Sequence, residues 1–198
     1  MDYETLLEFW FGKEPTTAQS LQARSKIWFS KNPDFDSEVR TRFEQPLLSF
    51  ETFLWKTWPK TPRGVLASII LLDQVPRNIY RNDPRSFQWD PIALELSKNG
   101  IEQKADLDLE LIERVFFYLP LEHSEVLADQ EKSVVQFQNL LRDTPRELDS
   151  QFSENLDYAV KHWEIIQQFG RFPHRNKILG RQSTPEEEVF LRKPGSSF

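Results

Sequence analysis

The sequence predicts an all-α fold on three observations: recurrent helix-start chemistry, apolar residues at helical intervals, and the lack of a convincing strand pattern. Thr61-Pro62, Asp90-Pro91 and Thr184-Pro185 each set a capping side chain before a proline at the first helical position, where its missing N–H costs nothing. Glu187, three residues beyond Thr184, completes a capping-box pattern. Gly100, after Lys98-Asn99, reads as a helix stop. Leu127, Val134, Phe137 and Leu141 recur at helical spacing, as do Leu148, Phe152, Leu156, Ala159, Trp163 and Ile166.

In chain order the predicted helices span 2–10, 17–30, 34–57 with a bend at Pro46, 62–74, 91–99, 107–118, 121–142, 146–169, a short one at 174–179, and 185–192. Val65 to Leu72 is apolar nearly all round, which predicts a central buried helix rather than a strand, since capping chemistry precedes it. Short connections predict antiparallel helical hairpins. The exception is Gln74 to Trp89, with Pro76 and Pro84, which is long enough to be a working loop.

A chain of 198 residues is sized for one domain, 1–198. Hydrophobic residues are only 38%, but 13% are aromatic, and large rings restore buried area. The absence of cysteine excludes disulfides, thiolate zinc sites and cysteine nucleophiles, and fits a reducing compartment. An acidic N-terminus is unlike a secretory signal, and no apolar run is long enough to span a bilayer. A cytoplasmic protein with no membrane partner is expected. A net charge of −6 argues against a nucleic-acid partner. Cofactor and oligomeric state are not legible.

Gly170 to the end reverses the charge, with Arg171, Arg175, Lys177, Arg181, Arg192 and Lys193 against Glu186, Glu187 and Glu188. These cations either answer the acidic body or receive an external anion. His174 follows Pro173 at an expected helix start, where backbone donors beside Arg171 and Arg175 suit a carboxylate or phosphate. Asp73 ends the most apolar helix and meets the negative end of its dipole, at a cost of roughly 0.3–1 kcal/mol if exposed and several times more if buried unpaired. It needs a cation, with Arg77, Arg171 and Arg175 as candidates. That makes it either a bridge tying the tail to the central helix or a functional group, a general base or a metal ligand. His123 and Gln130 interrupt the seam His123, Leu127, Gln130, Val134, Phe137, Leu141, as satisfied core groups or as the wall of a polar pocket. Glu122 and Glu125 flank the histidine but are expected on other sides of the helix. His162, between Lys161 and Trp163, reads as partly exposed and structural.

Other chemistry is weakly signalled. Asp73, His123, Glu125 and His174 lack close metal-ligand spacing, so no metal is expected. Ser124 adjoins His123, but neighbouring helix residues diverge and cannot form a triad. Trp10, Trp28, Trp55 and Trp163 fall on apolar faces and read as core rather than as stacking platforms. Phe198 is expected to anchor the C-terminus.

Four blocks carry a resemblance: Leu72 to Asn78, Tyr118 to Glu125, Gly170 to Asn176, and Leu179-Gly180-Arg181. With Phe9-Trp10-Phe11-Gly12, Trp28-Phe29 and the closing Pro194 to Phe198, they resemble the bacterial family catalogued as domain of unknown function 924 over nearly the whole chain. The resemblance implies helical hairpins in a tetratricopeptide-repeat-like arrangement and supplies no activity. The residues themselves point to an anionic small molecule held by Arg77, Asn78, Tyr118, Gln130, Arg171, Arg175 and Asn176, with His123, His174 and Asp73 as candidate proton carriers. Whether the protein is an enzyme stays open. The alternative is a non-enzymatic adaptor that binds a peptide or protein partner.

Overall fold

Side-chain caps set where the first helices begin. Asp2 caps α1 (Tyr3–Phe11), Thr17 and Ser20 form a capping box for α2 (Ala18–Phe29), and Asn32 caps α3 (Pro33–Leu48). The computed structural model describes residues 1–14 and 16–196, and among these no strand is present. The expected anchor Phe198 lies outside the described residues. Pro46 stays inside α3, which ends at Leu48 rather than running to residue 57; a turn and a short 3-10 segment, Leu54–Lys56, follow. Trp55 is exposed there instead of joining the core, whereas Trp10 and Trp28 are buried and Trp163 is half-buried.

Thr61 caps α4 (Pro62–Ile69), as its sequence predicts. The helix then passes without a break through a π-helical turn, Ile70–Gln74, into α5 (Val75–Ile79). Val75 N–H donates to the Ile70 carbonyl five residues back, and Pro76, which has no N–H to continue the α-helical ladder, comes next. The expected working loop is therefore shorter, because its first residues are helical. This continuous rod packs against α1, α3, α6 (Asp90–Glu102) and α7 (Leu111–Glu122), and every side chain from Leu66 to Ile70 is shielded from water. Each such aliphatic burial contributes roughly 1.5–3 kcal/mol.

Two predicted boundaries move for packing reasons. Gly100 lies inside α6 rather than at its end, and a Cβ there would stand 2.4 Å from Cζ of Phe117, so close approach of α7 explains the glycine. Ser97, one turn earlier, donates to the Phe117 carbonyl at 2.6 Å and ties the same faces together. Pro120, expected between two helices, sits inside α7, whose residues from Ile112 to Glu122 are all buried. Packing on every side outweighs the local cost of proline. The break falls instead at 123–126, before α8 (Leu127–Asp143), which packs along α9 (Asp149–Phe169). His123 thus caps the C-terminus of α7 and does not share a helix with Gln130.

The core joins Leu6, Trp10, Val39, Phe43, Phe116, Phe137 and Phe152 across the helices. A smaller cluster of Ile165, Ile166 and Phe172, with Phe169 and Phe190, seats the tail. The tail turns at Gly170, whose left-handed φ of 68° ends α9. The expected helix 174–179 reduces to a 3-10 turn, Pro173–Arg175, before α10 (Pro185–Leu191), where Thr184 and Glu187 form the predicted capping box. No described helix is long and apolar enough to cross a membrane.

Candidate functional site

The π-helical turn sets Asp73 and Gln74 against α6 and α7, and Arg77 follows in α5. Asp73 is inaccessible to water, and its Oδ1 lies 2.8 Å from Nδ1 of His123 and 3.2 Å from Nη1 of Arg77. Gln74 donates to Oδ2 at 2.7 Å. Burial pushes the carboxyl up, but Arg77, His123 and Gln74 together outweigh it and hold Asp73 well below the usual carboxylate range. An ionised Asp73 can only accept, so the bridging proton sits on His123 Nδ1 and Nε2 keeps its lone pair. Burial, then the charge of Arg77, lowers the affinity of His123 for a second proton, against the pull of Asp73. This is the arrangement of a base held in one tautomer by a carboxylate.

Arg77 also grips Asp90 through two hydrogen bonds of 2.8 and 2.9 Å. Asp90 therefore is not the side-chain cap its sequence suggested; it is the first residue of α6 and serves as a counter-ion. Asp73 pairs with Arg77, one helical turn along the same rod, and not with Arg171 or Arg175, so the bridge expected from Asp73 to the tail is not made. Arg171 instead forms a paired contact with Glu187 at 2.6 and 2.8 Å and reaches the Gln182 carbonyl at 2.9 Å.

Two of the three histidines flank Phe172, and the third, His123, lies against one of them. The Phe172 ring centroid lies 5.4 Å from His162 and 5.6 Å from His174, and His162 lies 6.3 Å from His123. His162 is buried, not half-exposed. It sits three residues after Ala159 and four before Ile166, on the buried stripe of α9, and that register was the signal for it. Its Nδ1 donates to the Tyr158 carbonyl at 2.8 Å and lies 3.2 Å from Oε1 of Glu122. Burial holds His162 down at about 3 and His174 at about 4, the latter helped by Arg175. Glu122, buried with Asp73 near and no cation bonded to it, is pushed up to about 8 and carries a proton at neutral pH.

Arg175 brings the tail's charge into this cluster. Its guanidinium stacks between Phe87 at 4.8 Å and Phe172 at 4.4 Å, with Nη1 3.9 Å from Asp90 Oδ2. The side chain is 8% exposed, and its buried Nε has no hydrogen-bond partner. Burial and the neighbouring Arg77 lower its pKa to about 10, so it stays charged at neutral pH.

The remaining predicted residues are held elsewhere or act indirectly. Tyr118 donates to Asp106 at 2.5 Å and accepts from Arg114 at 3.1 Å, a closed network away from the cluster. Asn78 donates to the Gln74 carbonyl and accepts from Arg81. Asn176 braces Glu187 and Ser183. Gln130 closes the 123–126 loop by donating to the carbonyls of Glu122 and Ser124, both at 2.6 Å, which fixes His123 from behind. Among the described residues, no group of three His, Asp or Glu is placed to hold a metal.

The comparisons agree with the helical architecture. A solved structure of a protein of unknown function, ATU0120 from Agrobacterium tumefaciens, is similar at 32% identity with a TM-score of 0.76, over 88% of this chain and 96% of that one. Among curated proteins nothing matches. The family described as "Bacterial protein of unknown function (DUF924)" matches residues 6–195, and this chain belongs to it.

Proposed function

We propose that the cluster binds a small anion on Arg175 and that His123, oriented by Asp73, exchanges a proton with it. The carrying observation is the Arg175 guanidinium: a buried cation with an unsatisfied Nε, close enough to Arg77 and Asp73 to feel their charge, while Asp73 in turn orients His123. A buried guanidinium whose ion pair with Asp90 is 3.9 Å long and whose Nε donates to nothing is poorly compensated, and a carboxylate or phosphate oxygen relieves that. The two rings cover the faces of the planar guanidinium and leave its N–H edge, the geometry that suits a two-oxygen anion. Glu122 supplies an acid beside the base, since its proton is retained at neutral pH.

The packed, shortly connected α7–α8 and α8–α9 pairs support reading the stack as tetratricopeptide-repeat-like. The cysteine-free composition supports a reducing, cytoplasmic setting. The adaptor alternative draws on the closed networks around Tyr118 and Arg171, which act as struts. It does not account for Arg175.

The test is thermal unfolding with inorganic phosphate and with small mono- and dicarboxylates, in the parent, in Arg175→Met and in Arg171→Met. A hundredfold excess of ligand over its dissociation constant adds about 2.7 kcal/mol. For a chain of this size that amounts to roughly 5–10 °C. The gain should vanish in Arg175→Met and survive in Arg171→Met. Equal stabilisation of the parent and Arg175→Met would remove the proposal.

A further inference from the structure

His174 and Arg175 do not belong to the helical body; they ride on the tail that begins at Gly170. That tail is braced within itself, because Glu187 takes hydrogen bonds from Arg171, from Asn176 and from the backbone of Thr184. Its attachment to the body is of a different kind. Three hydrogen bonds converge on one carboxylate, Glu125, in the loop that follows His123. Oε1 accepts from Phe172 N–H at 2.8 Å and from Arg181 Nη2 at 2.9 Å, and Oε2 accepts from Arg181 Nη1 at 2.7 Å. Phe172 and Arg181 bracket the stretch that carries His174 and Arg175. Glu125 thus holds both ends of the stretch to the body by hydrogen bonds, beside the Arg181 bond to the Phe172 carbonyl at 3.1 Å, the Arg171 and Asn176 bonds to Glu187, and the seat of Phe172 on Ile165 and Ile166.

The same stretch is flanked by Gly170 and Gly180, with φ of 68° and 66°, and nothing stands within 4 Å of where a Cβ would be at either. Both are left-handed turns that favour glycine, set in open space. The latch itself is partly open to water, with Glu125 and Arg181 about a quarter exposed, whereas the groups behind it are buried. Side chains of the site reach solvent only slightly: His123 is 15% exposed and Arg77 20%. A ligand that reaches the Arg175 edge needs the tail to lift.

We infer that Glu125 is the positioning residue of this site and that residues 171–181 are a lid it latches, whose opening admits the anion. The inference rests on the anion reading above for its ligand, but the latch can be tested without one. Hydrogen exchange followed by mass spectrometry on the full chain compares the parent with Glu125→Gln and Arg181→Met. Backbone amides of 171–181 should exchange at least about tenfold faster in both variants, with α7, α8 and α9 unchanged. Inorganic phosphate should slow that exchange in the parent. In Glu125→Gln its association and dissociation rates, followed by tryptophan emission, should both rise, with affinity changing less than either rate.

Unchanged exchange in both variants would sink the latch. Faster exchange spread over α7 to α9 would make Glu125 a strut of the whole fold and sink it equally. If phosphate binds the parent and Glu125→Gln with identical rates, the lid does not gate the site. If phosphate binds neither while the lid exchanges faster, the anion reading fails and the latch stands.

Discussion

Replacing Glu122 by Gln isolates the most perturbed acid of the cluster. Its carboxyl moves from 4.5 to about 8 on folding, because it is buried and Asp73 is near. The folded protein then holds a proton that the unfolded chain releases, so raising the pH from about 4.5 to 8 draws the equilibrium toward the unfolded state. That gap corresponds to about 5 kcal/mol as a ceiling, and relaxation around a buried group brings the expected effect to about 2–4 kcal/mol. Glutamine has nearly the same shape and does not titrate. Its stability relative to the parent should therefore climb by that amount between pH 5 and pH 8.5, whatever fixed cost the amide carries. His162 and His174, whose folded values are depressed to about 3 and about 4, make stability rise with pH up to about 6.5. His174 does so in both proteins and cancels in the difference; His162 lies 3.2 Å from Glu122, so the comparison is decided above about pH 6.5, where His162 is neutral folded and unfolded. Urea unfolding at four or five pH values gives the curve. Parallel curves for the parent and Glu122→Gln would refute the assignment of the buried proton to Glu122.

Arg77→Met removes the bonded cation from Asp73 and from Asp90 together and should cost about 3–5 kcal/mol, seen as a fall in melting temperature of about 10 °C or more. In a double-mutant cycle, Asp73→Asn should couple strongly to Arg77→Met and add independently to Arg171→Met; coupling to Arg171 would overturn the described pairing. Gly100→Ala should destabilise by about 1–2 kcal/mol despite alanine's better helix propensity, because the new methyl meets Phe117, and Phe117→Leu should relieve the loss. A more stable Gly100→Ala protein would show that α6 and α7 separate freely.

Local chemistry made the frame legible. Thr61 and the Thr184–Glu187 box cap the helices their sequences announce, and the apolar run from Val65 is the central buried rod. What stayed hidden depended on packing between elements. Pro76 and Pro120 read as helix boundaries, yet one follows a π-helical turn and the other is enclosed within α7. Setting the boundary at Pro120 put His123 on the wrong helix and turned Glu122 away from the cluster. Asp90 looked like a cap because capping is a local rule, whereas its partner Arg77 is thirteen residues earlier. Asp73, His123, His174 and Arg175 were visible as polar groups beside apolar sequence. Phe87 and Phe172, which hold the Arg175 guanidinium, carry no polar signal of their own.

The cluster contains more than a structural bridge requires. An Asp–Arg pair is enough to tie two helices, and Arg77 with Asp90 already makes one by two hydrogen bonds. Asp73 adds a second carboxylate to the same cation and orients a histidine with it. Glu122, beside that histidine in the chain, has no such cation and keeps its proton. Two carboxyl groups of similar chemistry are thus driven to opposite protonation states by their surroundings, which sets an acid and a base in one buried volume. A strut gains nothing from that division, since a glutamine at 122 would fill the same space without the cost of holding an ionisable group out of water. The proposed site, in which a proton moves onto or off an anion held by Arg175, would use that division. The fold bears the cost of burying these charges where the tail, the π-helical turn and the end of α7 come together.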